Sequence, residues 1–279
     1  MPSETLAEKR NTPAAIGDRF AILRACRRIW AIASVHGEFE RLASLHGKLE
    51  PALTHGDRIV YLGNLLGRGE SVRQSIDELL RFRREILARV GMFAADLVYL
   101  RGNQEEMWHK LLQVQFAPNP RQVLEWMRAQ GAEATIRAYS GGIESGLIAA
   151  REGPRVLGRW TSSLRDAQSA CPGHVALMSA LKRAAFTDDG QLLFVNAGID
   201  PTRPLSAQSD SFWWGAGAFG RINEPYAGYR RVVRGFDTAH AGLVEGPFTV
   251  SLDAGSGFGG PLLAACLAPD GTILDRIEA

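Results

Sequence analysis

The chain has 279 residues, 46% hydrophobic and 22% charged, which excludes a disordered chain, a collagen-like repeat and a disulfide-dense miniprotein. Lys+Arg 32 against Asp+Glu 30 leaves a formal charge of +2, too even to argue for nucleic acid or an anionic membrane as partner. Cys26, Cys171 and Cys266 are far apart with no CxxC pair, so they read as reduced thiols of a cytoplasmic protein.

In chain order, residues 1–27 read as a polar tail with a basic lead-in, without the apolar stretch of a secretory signal. The first strong strand covers 29–33 and ends in SVHGEFERL, where Gly37 permits a sharp turn into a helix. A second strand at 58–62 runs into GNLLGRGES and a helix over about 71–89, whose apolar residues Val72, Ile76, Leu79, Leu80, Ile86 and Leu87 follow the 3.6-residue period. A third strand at 96–100 leads through RGNQEEM into another helix. Three strand–loop–helix units in succession predict parallel strands in an α/β fold. Residues 105–185 read as a helical insertion punctuated by Pro118, Pro120 and Pro154. Strands return at 192–195, 231–233, 248–252, 262–267 and 272–277, the last two flanking a Pro269-Asp270-Gly271 turn. No run reaches the ~20 apolar residues of a membrane span. The expected organisation is a tail and lead-in over 1–27 and a single domain over 28–279.

In α/β sheets, chemistry gathers on loops at the carboxyl ends of strands. Those loops here are SVHGEFERL, GNLLGRGES, RGNQEE, VNAGID and VRGFDTAH. Their order and spacing resemble the calcineurin-like metallophosphoesterases, especially bacterial PPP-type serine/threonine protein phosphatases and diadenosine tetraphosphatases. That family carries GDxHG, GDxxDRG, GNHE, HAG and GHT in this order. AGIDPTRPLSAQ, LDAGSGFGGPLLAACL and the Pro172/His174 stretch add to the likeness. The resemblance implies a four-layer α/β sandwich of two mixed sheets flanked by helices. In the family, two divalent metals activate a hydroxide for in-line attack on phosphorus, a His acts as general acid, and Arg residues clamp the phosphoryl oxygens.

Transferred residue by residue, the resemblance also shows what this chain lacks. Ser34 stands for the first Asp, Asn64 for the bridging Asp, and Gly67 for the Asp that orients the acid. Gln104 stands for the acid itself, Asn196 and Phe236 for two metal-binding His, and Gly215 for a phosphate-binding Arg. His36, Arg68 and Asn103 are kept. The six metal positions then hold no carboxylate and one imidazole, a neutral set that cannot offset two adjacent divalent ions. The expectation is a pseudophosphatase without metal or other cofactor, acting as a binding, regulatory or structural subunit of a protein assembly. A phospho-ligand could still meet Arg68, His36 and Asn103. The alternative is an active phosphoesterase, on phosphoproteins or dinucleoside polyphosphates, with an altered and metal-poor centre.

Several residues read two ways. His36 is a remnant ligand or a polar residue packed under a loop, and Arg68 an anion contact or half of a loop-ordering salt bridge. Asp200, Asp237 and His240 could form a relocated one-metal site or simply be solvated. Phe212, Trp213 and Trp214 read as core or as an aromatic anchor. Arg81, Arg83, Arg84 and Arg89 read as a solvated face or as a dock for an acidic partner.

Overall fold

The computed structural model describes residues 19–279. In chain order it opens with β1 (Phe20–Leu23), β2 (Arg28–Ile32), α1 (Phe39–Ala52), β3 (Asp57–Tyr61), α2 (Val72–Leu87) and β4 (Leu97–Tyr99). A helical stretch follows: α3 (Asn103–Leu111), α4 (Pro120–Ala129), α5 (Glu133–Ser140), α6 (Ile143–Glu152), α7 (Pro154–Ser169) and α8 (His174–Ala180). The chain then runs through β5 (Ala184–Thr187), β6 (Leu192–Val195), α9 (Ser211–Trp214), α10 (Ala216–Phe219), β7 (Arg231–Arg234), β8 (Val244–Glu245), β9 (Thr249–Ser251), β10 (Leu263–Leu267) and β11 (Ile273–Glu278).

Two mixed sheets result, ordered β1-β5-β6-β7-β9-β8 and β11-β10-β2-β3-β4. The strand–helix repeat of the first hundred residues gives the parallel run β2-β3-β4. β10 adds antiparallel to β2 and to β11, across the predicted hairpin turn. Side-chain alternation explains the layering. Leu192 and Phe194 of β6 join one hydrophobic cluster, which also holds the core of the five-stranded sheet. Leu193 and Val195 join another, under the 199–229 segment. Each sheet therefore buries both faces, which is why its central strands read as continuous apolar runs.

Three strands go beyond what the sequence pattern predicts. β1 lies inside the stretch expected to be lead-in and pairs in parallel with β5; residues 1–18 of the expected tail fall outside the described residues. β5 is Ala-Ala-Phe-Thr, only four residues long and half alanine, which is depleted in strands, but all four residues are buried between β1 and β6. β8 has two residues and borders β9. Phe212 and Trp213 are core residues, whereas Trp214 is exposed with its ring 5.6 Å from that of Trp126. The basic face of α2 is partly self-neutralised, since Arg81 pairs with Glu78 and Glu85. Among the described residues no helix is long and apolar enough to cross a membrane.

Candidate functional site

The carboxyl ends of β2, β3, β4, β6 and β7 bring Ser34 and His36, Asn64, Asn103, Asn196 and Phe236 to one edge of the paired sheets. The two sheets are tied there directly. Ser34 N–H donates to Gly235 O at 3.0 Å, and Asn196 Nδ2 to Leu62 O at 2.7 Å. Ser34, Asn64 and Asn196 are fully buried.

Asn64 occupies the centre. Its Nδ2 donates to Ser34 Oγ (3.3 Å) and its Oδ1 accepts from the Gln104 N–H (3.1 Å). Both ends of the amide are engaged at the position where the resemblance places a bridging carboxylate. Its backbone is left-handed, φ 51°, a conformation Asn tolerates well. Gln104 donates from Nε2 to Gln130 O at 2.9 Å. A neutral carboxamide does not transfer its proton to a leaving group, so Gln104 itself is not a general acid. Because Asn196 and Gln104 donate to carbonyls, the orientation of their amides is fixed. Asn196 Oδ1, Gln104 Oε1 and Asn103 Oδ1 are all buried without a hydrogen-bond partner among the described residues.

His36 is buried, and neither ring nitrogen has a partner among the described residues. Its ring meets Phe236 and Phe258 edge-on at 5.9 and 5.5 Å. Burial, helped by the nearby Arg68 and His240, pushes its pKa down from 6.5 to about 3. The neutral imidazole is therefore the folded form. Its contribution to stability is complete above pH 6.5 and is lost as pH falls toward 3, about 2–3 kcal/mol by pH 4.5. His36→Asn removes the proton-binding group while tolerating the φ of 57° at this residue. Between pH 7 and 4.5, the melting temperature of the wild type should fall further than that of His36→Asn, by an extra ~5 °C or more. Equal losses would show that His36 does not report acid stress.

Arg68 is half-buried. Its Nη2 donates to Gln130 O at 3.2 Å, its guanidinium lies 4.3 Å from the Phe258 ring centroid, and its Nε is unpartnered among the described residues. It makes no ion pair with a described residue, so the salt-bridge reading is replaced by a carbonyl bond and a cation–π contact. Burial lowers its pKa. No described carboxylate competes for it.

Two positions are closed, not merely substituted. Gly67 has φ +132°, and a Cβ there would lie 2.8 Å from His36 Nδ1 and 2.9 Å from Gln104 Cγ. At Gly215 a Cβ would lie 2.3 Å from Ser211 O. Neither the acid-orienting Asp nor the phosphate-binding Arg could stand here without moving backbone or its neighbours.

These residues do not fit a pair of divalent metals. The donors are a hydroxyl, amide oxygens and one imidazole, and Phe236 supplies only apolar surface. Among the described residues no three His, Cys, Asp or Glu side chains converge on a metal position. Asp237, His240 and Asp253 do meet, but Asp253 is engaged by the Asp237 and Gly255 N–H groups and by His240 Nδ1 (2.8 Å). Asp237 pairs with Arg234 at 2.6 Å. Asp200 is held elsewhere, by Thr202 and Arg203.

Two buried carboxylates that sequence reading did not single out organise the loops. Glu105 accepts from the N–H groups of Asn64 (2.9 Å), Leu66 (2.8 Å) and Gly102 (2.7 Å). Burial pushes its carboxyl above the ordinary value, against the pull of these donors. Asp253 does the same for the 237–240 and 255 turns. Both lie within the loop motifs, and the signal available was a Glu three residues after Gly102, an N-terminal capping pattern.

No protein-family model matches this sequence, and no curated protein matches it. Solved structures do match in shape. A protein described as a diadenosine tetraphosphatase superposes with TM-score 0.55 at 18% identity, over 94% of this chain and 98% of that one. A serine/threonine phosphatase from Saccharomyces cerevisiae gives 0.52 at 14%, over 100% and 90%. A cold-active protein-tyrosine phosphatase from a psychrophilic Shewanella gives 0.50 at 13%, over 97% and 85%. The chain thus shares the two-sheet α/β fold of these phosphatases at low sequence identity, in agreement with the fold that the loop motifs imply.

Proposed function

We propose that this chain is a pseudophosphatase: a metal-independent binding or regulatory subunit that holds a ligand or protein partner in a phosphoesterase fold without hydrolysing it. The observation that carries this reading is the Asn64 side chain, fixed between Ser34 Oγ and the Gln104 N–H at the bridging position. A phosphorylated ligand would place its anion at Arg68, beside Phe258.

The test joins metal content to turnover. Purified protein should carry well under one equivalent of Mn, Fe, Zn or Ni. Millimolar Mn should leave its melting temperature unchanged, since tight binding would stabilise it by several kcal/mol. Hydrolysis of p-nitrophenyl phosphate, a phosphopeptide or diadenosine tetraphosphate should stay at background. Two metals per chain, or turnover at ~1 s⁻¹, would establish the alternative of an active phosphoesterase with an altered centre.

A further inference from the structure

The five-stranded sheet ends on β11, which pairs with β10 on one side only. An edge strand presents unpaired backbone groups, and the ladder on its other side decides which residues supply them. Leu262 and Ala279 exchange both backbone bonds, at 2.8 and 3.0 Å. Bonded and non-bonded pairs alternate between antiparallel strands. Ala264–Ile277 and Cys266–Asp275 are therefore bonded pairs, whereas Leu263–Glu278 and Ala265–Arg276 are not. The N–H and C=O groups of Arg276 and Glu278 point away from β10.

These outward groups are lightly held. Arg276 N–H donates to none but its neighbour's Asp275 Oδ1 (2.8 Å), and Glu278 O accepts from Lys48 Nζ (2.6 Å). Asp275 and Lys48 are both exposed. Arg276 O and Glu278 N–H have no hydrogen-bond partner among the described residues. The Arg276 and Glu278 side chains, two residues apart, share one face of the strand. Both are exposed, and neither forms an ion pair with a described residue.

We propose that β11 is an interface between two copies of this chain, which join edge to edge about a twofold axis and make one ten-stranded sheet from two of five. Charge and register select a second copy over an unrelated strand. Outward-facing groups must meet outward-facing groups, so the axis passes through a residue position and not between two. Centred on Asp275 or Glu278 it would set carboxylates against each other, and on Arg276 two guanidinium groups. Centred on Ile277 it sets Ile277 against its own copy and Arg276 against Glu278 of the second copy, twice. All four outward backbone groups of each copy are then bonded across the axis. Asp275 gives up the Arg276 N–H, while Lys48 can stay, since a carbonyl accepts two bonds. No residue of the strand-end cleft takes part, so the proposal stands or falls independently of the pseudophosphatase reading.

The test is sedimentation velocity on the full chain over a range of concentrations. A monomer–dimer equilibrium should appear with a Kd of ~10–100 µM, as suits an interface at the small end of the range. Added salt should weaken it, because exposed ion pairs are screened. Arg276→Glu and Glu278→Arg each set like charges across the axis, and each should raise the Kd about tenfold or more. Mixed one-to-one, these two variants bring opposite charges together at both pairs and should form a heterodimer with an affinity near that of the wild type. Both changes lie at exposed positions and should leave the melting temperature unchanged. A wild-type chain that stays monomeric at ~500 µM, well above the expected Kd, would overturn the proposal. So would a dimer indifferent to both charge reversals, or a mixture that associates no better than its components.

Discussion

Glu105→Ala should lower the melting temperature by about 10 °C or more, or leave the protein insoluble. The side chain is the common acceptor for three buried N–H groups, on Asn64, Leu66 and Gly102. Each orphaned donor costs about 1–3 kcal/mol, so three sum to ~3–9 kcal/mol against a typical total of about 5–15. The carboxylate also fixes the 64–66 loop against the start of α3, so its loss frees the loop that carries Asn64 and Arg68. Glu105→Gln should cost less, because one oxygen still accepts while the NH₂ faces a donor. The neighbouring Glu106→Ala is the control. Its side chain is itself buried but pairs with the more exposed Arg101 at 3.1 Å and Lys110 at 3.4 Å, which stay within reach of water, so its loss should cost about 1–2 kcal/mol, less than that of Glu105. Thermal unfolding followed by circular dichroism separates the three. A Glu105→Ala protein melting within about 3 °C of the Glu106→Ala protein would refute the keystone role.

Restoring carboxylates at the centre should also destabilise. Ser34 and Asn64 are both fully buried, with Oγ and Nδ2 3.3 Å apart. The Ser34→Asp, Asn64→Asp double variant would set two negative charges there and remove the donor that joins them. We expect a loss of about 2–4 kcal/mol in EDTA at alkaline pH, roughly 5–10 °C. Like charge and burial raise the carboxyl pKa values above their unfolded values near ~4. The penalty is therefore largest above the raised values and fades as pH falls toward the unfolded ones. A melting temperature at or above wild type in EDTA would show that the cleft tolerates free carboxylates. The amides would then no longer count as adaptations to a metal-free centre.

Strands with strong apolar runs, such as β2, β3 and β6, were legible because burial on both faces leaves a continuous hydrophobic signature. β1 and β5 were not, because their evidence is each other: a half-buried Phe-Ala-Ile-Leu edge and an Ala-rich strand become a ladder only when residues 20 and 184 meet. In the cleft, the positions of Ser34, Asn64, Gln104 and Asn196 were readable because the loops that carry them resemble the family's motifs in their order along the chain. Sequence could not show that Gly67 and Gly215 are closed to side chains, since the obstructing atoms belong to His36, Gln104 and the α9 backbone. Nor could it give the partners of Glu105 and Asp253. A carboxylate holding backbone amides of a loop about 40 residues away leaves no local pattern.

The order β11-β10-β2-β3-β4 places the chain's last strands against one of its first. β2 is complete by Ile32, yet its antiparallel partner begins at Leu263. During synthesis at ~5–20 residues per second, β2 would wait on the order of 10–50 s with one hydrogen-bonding edge open and its apolar faces uncovered. An unpaired strand edge of this kind is a template for pairing with another chain. The nascent protein is therefore exposed to misassembly on the ribosome in a way the finished molecule is not. Loss of the C-terminal hairpin would make that transient edge permanent.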